Sequence, residues 1–340
     1  MSPVSKLEEL TALLADLDDA EVLAILDGAE HLATGIGGAT SRVRLQGSDI
    51  FVKHLPLTAI EKDDPISTIN RFGLPVSCHY GIGSPGFGVG REVATHQLTS
   101  KWVTSGATAH FPVLYHWRVL DQRCRIDVSE FDGPAPQLQW GSHWPRVRAR
   151  VEALATARSS VVLFLEYVPQ TLDMWLREQF SSGDGTAALS SAIKQIVTGA
   201  AWMEAHGMQH LDMHPRNILV RDGAMVFTDF GLALHQDFAM NRDERAFFAA
   251  HGGYDHDTGI ASLLHWVLAE LGIGSRTRRL EVLRASASDH RATELDPFRA
   301  MLGDGADLIA QYAPIGVTTT AFFDALMQNA SATTYSGVPR

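Results

Sequence analysis

The sequence contains very little cysteine. Only Cys78 and Cys124 occur among its 340 residues, and they form no Cys-x-x-Cys motif. This scarcity excludes a disulfide framework and a cysteine-rich structural zinc site. It also fits a chain that works in a reducing compartment, so we expect a cytoplasmic protein.

Positive charge and long hydrophobic runs are also scarce. Lys and Arg total 28 against 39 Asp and Glu, for a net charge of −11, whereas contact with a nucleic-acid backbone requires clustered basic side chains. The densest basic cluster, Arg146, Arg148 and Arg150, has the spacing of a solvated helix face. The longest apolar runs, such as residues 161–165, fall far short of the roughly 20 residues that span a bilayer. We therefore expect neither a nucleic-acid nor a membrane partner.

The remaining composition is that of a globular enzyme, with 45 % apolar and 20 % charged residues. The chain is long enough for more than one lobe. Leucines at helical spacing predict a helix over residues 5–27, within an N-terminal helical extension of residues 1–29. Short apolar runs around the turn Gly47-Ser48-Asp49 predict a β-hairpin that ends near Lys53.

Two segments interrupt this pattern and are interpreted as insertions. Residues 56–90 are rich in Gly, Pro and Ser and lack a sustained period, and residues 121–158 contain a Gly-Pro-Ala-Pro sequence and two Trp. Apolar runs at 113–119 and 161–168 predict two further strands. From residue 169 onward most of the chain is predicted to be helical.

The strongest chemical signal is a set of polar residues around a short hairpin. Asp212 is followed five residues later by Asn217, and Asp229 comes after two apolar runs that flank an Asp-Gly turn. Carboxylate and amide oxygens are ligands that Mg2+ accepts. A tight hairpin over residues 218–227 would return the chain, so that Asp229 can meet Asn217 across a metal ion.

These residues also carry a family resemblance. His210-x-Asp212 with Asn217, followed by an Asp-Phe-Gly that begins at Asp229, resembles the catalytic and magnesium loops of the protein-kinase-like superfamily. That superfamily includes protein kinases, aminoglycoside phosphotransferases and choline kinases. The resemblance implies ATP and Mg2+ as cofactors, Asp212 as catalytic base, and Asn217 and Asp229 as magnesium ligands. It implies a structural role for His210 in holding the loop.

The same resemblance implies an α+β, bilobal protein-kinase-like fold. A small antiparallel β-sheet lobe would cover residues 30–168, including both insertions. A mainly helical lobe with the catalytic and magnesium loops would cover residues 169–340.

Lys53 and Glu92 are the predicted pair behind the nucleotide phosphates. Lys53 ends a Phe-Val-Lys run, where the superfamily places its phosphate-contacting lysine, and Glu92 lies on the next predicted helix. The alternatives are an exposed lysine at a strand end and a solvated helix glutamate. Further nucleotide contacts are assigned to a glycine-rich loop and to a hinge: Gly35, Gly37, Thr40, Ser41, Glu166 and Val168.

Two other motifs offer different interpretations. Residues 81–86 formally match the G-x-G-x-x-G dinucleotide fingerprint, but the preceding strand is poor and Pro85 interrupts the motif. We interpret that segment instead as a flexible insertion, a lid over the nucleotide. Three histidines with Asp255 and Asp257 could suggest a metal site, but acidic residues near a helix start usually serve its N-terminus.

The acceptor is indicated by three departures from the protein-kinase pattern. Leu211 occupies the place of an arginine that reads a phosphate in many regulated protein kinases. His214, assigned to the catalytic residues, gives Asp-x-His-Pro-x-Asn, which is similar to small-molecule kinases. No Ala-Pro-Glu follows, and residues 236–248 look helical. Against this, residues 229–233 spell Asp-Phe-Gly-Leu-Ala as protein kinases do. We expect a hydroxylated small-molecule acceptor, with a protein serine/threonine kinase as the alternative and a pseudokinase scaffold as a third hypothesis.

Overall fold

A computed structural model describes residues 3–289 and 293–338. The few residues of the predicted segments 1–29 and 169–340 that fall outside these ranges are therefore not covered. The chain divides into two compact units. The first contains the described residues up to Val168 together with Asp229–Ala233 and Asp237–Glu244, and the second contains the rest.

The first unit is built on a five-stranded antiparallel sheet with the order β1-β2-β3-β5-β4. Its strands are β1 (Glu30–Gly35), β2 (Gly38–Leu45), β3 (Ser48–Leu57), β4 (Leu114–Leu120) and β5 (Ser159–Glu166). Successive side chains of a strand point to opposite faces. Ile50 and Val52 of β3 therefore lie on one face of the sheet, and Lys53 and Leu55 lie on the opposite face.

Two helices cover the face that carries Val52. They are α1 (Pro3–Asp16) and α2 (Asp19–Asp27), where the sequence predicts a single helix over residues 5–27. The break has a local cause. The Asp18 carboxylate accepts from the Glu21 N–H, and the Glu21 carboxylate accepts from the Asp18 N–H, a reciprocal cap that starts a new helix. Leu10, Leu14 and Val22 are buried against the sheet here.

We expect Leu14→Ala to lower the free energy of unfolding by about 2–5 kcal/mol, because it leaves a cavity between α1 and the sheet. Leu14 is fully buried. Leu138→Ala is the matched control, since Leu138 is 75 % exposed and its loss should change stability by less than about 0.5 kcal/mol. Urea denaturation measures both. Equal effects of the two substitutions would show that α1 does not cover an apolar core.

The opposite face carries Lys53 and packs against α3 (Val89–Thr104). Val89 and Val93 of α3 are buried with residues of β3 and β5. Glu92 lies one position before Val93, so this packing determines where the Glu92 side chain can reach.

Both predicted insertions are ordered and packed. Within the first, Ser77 to Tyr80 form a buried 3-10 turn, Val76–Tyr80. The second contains α4 (Ala135–Trp140) and α5 (Trp144–Thr156), and the Trp140 indole N–H donates to the Gly83 carbonyl at 3.0 Å. Residues 76–83 are thus packed within the first unit, and the lid over the nucleotide stays a prediction.

Arg150 corrects a second expectation. The basic cluster of α5 was predicted to form a solvated helix face, but Arg150 is buried and its Nη1 lies 2.8 Å from Glu61 Oε2. Helix geometry explains the difference, because Val147, Arg150 and Val151 share the buried side of α5. Arg146 and Arg148 are exposed as expected.

The second unit is mainly helical, with two short antiparallel strand pairs, β6–β9 and β7–β8. The strands are β6 (Met208–Gln209), β7 (Ile218–Arg221), β8 (Ala224–Phe227) and β9 (Leu234–His235). The helices are α6 (Leu172–Ser182), α7 (Gly185–Ala205), α8 (Arg242–Ala250, whose first residues belong to the first unit), α9 (Tyr254–Glu270), α10 (Arg276–Ser288), α11 (Asp296–Leu302) and α12 (Gly305–Gln328).

The predicted α+β architecture is confirmed, with an antiparallel sheet in the N-terminal part and a largely helical remainder. One helix boundary differs. The sequence predicts a helix over residues 236–248, but α8 begins at Arg242. The Asn241 side chain accepts from the Glu244 N–H and so caps the N-terminus of α8 at this point. In the described part of the chain, no helix is long and apolar enough to cross a lipid bilayer.

Candidate active site

Lys53 lies between two carboxylates in the first unit. Its ammonium nitrogen is 2.5 Å from Glu92 Oε1 and 2.8 Å from Asp229 Oδ1. β3 positions Lys53, α3 positions Glu92, and Asp229 begins the Asp-Phe-Gly segment. Asp229 adopts a positive φ of 66°, a backbone conformation that Asp tolerates better than most residues. The Lys53 and Glu92 side chains are nearly buried, whereas the Asp229 side chain is 45 % exposed.

The electrostatics of this group keep Lys53 charged. Burial alone would lower the pKa of the Lys53 ammonium, but the carboxylates of Asp229 and Glu92 outweigh it and hold that pKa above its ordinary value. Burial raises the pKa of the Glu92 carboxyl, and the Lys53 charge opposes that shift. Lys53 therefore keeps its positive charge, and the half-exposed Asp229 carboxylate lies beside it.

The predicted phosphate loop is the turn between β1 and β2. Gly35 ends β1, and Gly37 lies in the turn. Thr40 and Ser41 lie on β2 rather than in the turn. Thr40 pairs with Lys53 across the sheet and shares its face, whereas Ser41 pairs with Val52 on the face covered by α1 and α2.

The predicted hinge residues lie where the first unit ends. Glu166 is the last residue of β5, and its backbone N–H donates to the Val113 carbonyl at 2.8 Å. Val168 is buried. No contact in the structure assigns a nucleotide-binding role to either side chain.

Asp212 and Asn217 form a hydrogen-bonded pair in the second unit. Asn217 Nδ2 donates to Asp212 Oδ2 at 2.9 Å and to the Asp212 carbonyl at 3.1 Å. The Asn217 backbone also fixes the hairpin, because its carbonyl accepts from the Thr228 N–H. With Nδ2 directed at Asp212, Oδ1 is the amide atom suited to a cation.

Two histidines frame this loop. His210 Nδ1 lies 3.3 Å from the Asp212 N–H and its Nε2 lies 2.9 Å from the Thr228 carbonyl, so the neutral ring carries its proton on Nε2. His214 Nε2 lies 3.8 Å from Asp212 Oδ1. His210 therefore ties the loop to the end of the hairpin, and His214 lies beside the predicted base.

Asp255 is a site residue that the sequence analysis missed. It lies in the first turn of α9, and its two carboxylate oxygens accept from the backbone N–H groups of His210 and Leu211, at 2.6 and 2.7 Å. Leu211 has a φ of 66°, a strained conformation for a leucine. Asp255 therefore holds the catalytic loop in that conformation. No local pattern could reveal this contact, because Leu211 and Asp255 are 44 positions apart.

The chain is similar to known protein kinases over this segment. A family model described as "Protein kinase domain" matches residues 146–245. Cyclin-dependent kinase 4 of Ovis aries is 32 % identical over 101 residues, which cover 28 % of this chain and 33 % of the relative. Calcium-dependent protein kinase 4 of Plasmodium falciparum is 26 % identical over 132 residues, 34 % of this chain and 25 % of the relative. A probable serine/threonine-protein kinase irlC of Dictyostelium discoideum is 38 % identical over 53 residues, 16 % of this chain and 4 % of the relative.

These matches make residues 146–245 similar to a protein kinase domain and support a relationship to the protein-kinase-like superfamily. The chain spans about a third of the length of the cyclin-dependent kinases that it matches. The matched segment contains Asp212, Asn217 and Asp229, the residues that carry the sequence resemblance. Lys53 and Glu92 lie outside that segment, yet in the structure Lys53 contacts both Glu92 and Asp229.

Each unit contains side chains of the kinds that bind a magnesium nucleotide. The Asp229 carboxylate in the first unit and the Asn217 amide in the second unit each carry an oxygen of the kind that a hard divalent cation accepts. The Lys53 ammonium offers a positive charge to a phosphate.

We expect the Asp255 carboxyl to make stability depend on pH. Burial raises its pKa to about 6 from an ordinary 3.8, although the two N–H donors oppose that shift. The folded protein thus keeps this proton up to about pH 6, whereas the unfolded chain releases it near pH 4. The contribution of Asp255 to the free energy of unfolding is therefore largest below about pH 4, and it is lost as pH rises toward and through 6.

Urea denaturation of the wild type and of Asp255→Asn at pH 4, 5, 6 and 7 measures this effect. The free energy of unfolding of the wild type, relative to that of the variant, should fall between pH 4 and 6 and then level off. A difference that stays constant or rises over this range would contradict the raised pKa.

Proposed function

We propose that the protein is an ATP- and magnesium-dependent kinase that transfers the γ-phosphate to a serine or threonine hydroxyl of a protein. The observation that carries the proposal is the match of residues 146–245 to the protein kinase domain. The relatives are also named as protein kinases. The Lys53–Glu92 and Lys53–Asp229 ion pairs add support from outside the matched segment.

In the proposed reaction each side chain has a limited task, because phosphoryl transfer depends mainly on positioning and electrostatics. The Asp212 carboxylate accepts the proton of the attacking hydroxyl. Asn217 holds that carboxylate through Nδ2, and Lys53, kept charged by its two carboxylates, contacts phosphate oxygens. Asn217 and Asp229 would hold Mg2+, which neutralises charge on the phosphates when bound.

A hydroxylated small molecule is the second candidate acceptor. His214 favours it, because the residue stands in the Asp-x-His-Pro-x-Asn pattern of small-molecule kinases and lies 3.8 Å from Asp212 Oδ1. The comparisons favour the protein acceptor, since each relative named above is a protein kinase.

Labelled ATP distinguishes the two acceptors. The protein is incubated with γ-labelled ATP, Mg2+ and a cell lysate, which is then separated into macromolecular and small-molecule fractions. Label on phosphoserine or phosphothreonine in the macromolecular fraction, absent with Asp212→Asn, is expected. Label confined to a metabolite would overturn the protein acceptor, and no Asp212-dependent transfer would overturn the kinase assignment.

A further inference from the structure

Arg91 lies next to Glu92 on α3 and is buried in an ion pair. Its Nη2 is 2.6 Å from Glu244 Oε1, and the two side chains are 2 % and 0 % exposed. Successive residues of a helix project about 100° apart. Arg91 and Glu92 therefore leave the same turn of α3 in different directions, one toward Glu244 and the other toward Lys53.

Glu244 comes from the segment that follows the Asp-Phe-Gly sequence. Its carboxylate is fixed by its own helix end, because Oε2 accepts from the Asn241 N–H at 3.0 Å and the Asn241 side chain accepts from the Glu244 N–H. The pKa of Glu244 is about 2, since contacts with His79 and Arg91 outweigh the effect of burial. The carboxylate is thus fully charged near neutral pH.

The first insertion connects the same two segments. The Thr68 carbonyl accepts from Arg91 Nε at 2.8 Å, and the Thr68 hydroxyl oxygen accepts from the Ala239 N–H at 2.9 Å. Phe87 stacks on His79 and lies under the Arg91 guanidinium, with 4.9 Å from Arg91 Cζ to the ring centroid. The pair is therefore enclosed on several sides, which strengthens its charge interaction relative to water.

In a buried ion pair of this kind, each charge depends on its partner because water cannot solvate it. Removing one partner leaves an uncompensated buried charge, which is strongly destabilising. The chain therefore holds α3 and residues 237–244 in one arrangement strongly. In this rotation of α3, Glu92 reaches the Lys53 ammonium while Arg91 contacts Glu244.

We propose that Arg91 and Glu244 are positioning residues, which hold α3 so that Glu92 engages Lys53 without any added phosphate. This inference rests on the proposed kinase function. Phosphorylation often orders a segment by giving an arginine a negative partner. Here the encoded Glu244 carboxylate supplies that charge to Arg91, and Leu211 stands where a phosphate-reading arginine would be. The enzyme is therefore active as synthesised.

Glu244→Gln tests the proposal, because it keeps the side-chain length and removes the charge. We expect kcat to fall about tenfold to a hundredfold, as for a displaced catalytic group, with a smaller change in the KM for ATP. The decisive measurement is a double-mutant cycle with Glu92→Gln. If Glu244 acts through Glu92, the second substitution adds little to the first. Fully additive losses would overturn the proposal.

A control separates positioning from general destabilisation. Leu14→Ala should lower stability through the other face of the sheet and leave kcat unchanged. A kcat that falls equally in Leu14→Ala and Glu244→Gln would overturn the positioning role. Phosphatase treatment of the wild type should also leave activity unchanged, and activity that requires a bound phosphate would contradict the inference.

Hydrogen exchange provides a readout that does not need activity. Amides of α3 and of residues 237–244 should exchange faster in Glu244→Gln than in the wild type. Leu14→Ala should instead speed exchange in α1, in α2 and in the strands whose Val52 face these helices cover. If the α3 amides exchange equally slowly in Glu244→Gln and in the wild type, the positioning role of Arg91 and Glu244 is overturned, even in an active kinase. If the variants show these exchange differences but the wild type transfers no phosphate, the proposed function is overturned and the positioning role is not.

Discussion

Replacing Asp212 with asparagine is expected to lower kcat by about 10²–10⁴-fold, the usual contribution of a general base. Nucleotide affinity should stay close to the wild-type value. The reason is geometric: an asparagine oxygen can still accept the hydrogen bond that Asn217 Nδ2 donates to Asp212 Oδ2 at 2.9 Å. The loop keeps its shape and loses only the group that accepts a proton.

Steady-state kinetics and a nucleotide-binding titration measure the two quantities separately. Asp63→Asn is the matched control, because Asp63 is an exposed aspartate to which we assign no site role. Its kcat should equal that of the wild type. Undiminished turnover in Asp212→Asn would remove Asp212 from the mechanism, and a parallel loss of nucleotide affinity would make it a binding residue.

Replacing Asp229 with asparagine is expected to remove the gain in nucleotide affinity that Mg2+ provides. The substitution takes away the half-exposed carboxylate that lies beside Lys53. Loss of a group that supports a metal ligand typically costs about 10–100-fold in metal affinity, so loss of a ligand should cost at least that. Lys53 keeps Glu92 as a partner at 2.5 Å, so ATP should still bind without the metal.

Titration with ATP in the presence and absence of Mg2+ measures this ratio for both proteins. Asp63→Asn again serves as the control and should keep the full metal-dependent gain. If Asp229→Asn retains that gain, Asp229 is not a magnesium ligand. If it loses metal-free ATP binding as well, its main task is to hold Lys53.

The sequence predicts the parts of the site that are close together in the chain. Asp212 and Asn217 are five positions apart and share one loop, so their motif is visible without a structure. Lys53 and Glu92 came from a family resemblance, and the structure brings them within 2.5 Å of each other. The α+β class was implied by the same resemblance, and the change from strand-like to helical patterns along the chain agrees with it.

The missed ion pairs and the missed role of Asp255 depend on buried charges from distant parts of the chain. Charged residues are usually exposed, so Arg150 was predicted to be solvated, although it lies buried against Glu61. Arg91 and Glu244 are 153 positions apart, and no local pattern pairs them. Asp255 was taken for a residue that serves its own helix, because a carboxylate in a first turn usually does.

The transfer of labelled phosphate from ATP to protein tests the central claim most directly. Purified wild type and Asp212→Asn are compared at saturating ATP and Mg2+ with a protein fraction as acceptor. The amount of ADP released and the amount of phosphate incorporated into serine or threonine are measured in the same reaction and compared. We expect the two amounts to be equal for the wild type and to fall together in Asp212→Asn. ATP binding without any Asp212-dependent transfer to a hydroxyl would contradict the account.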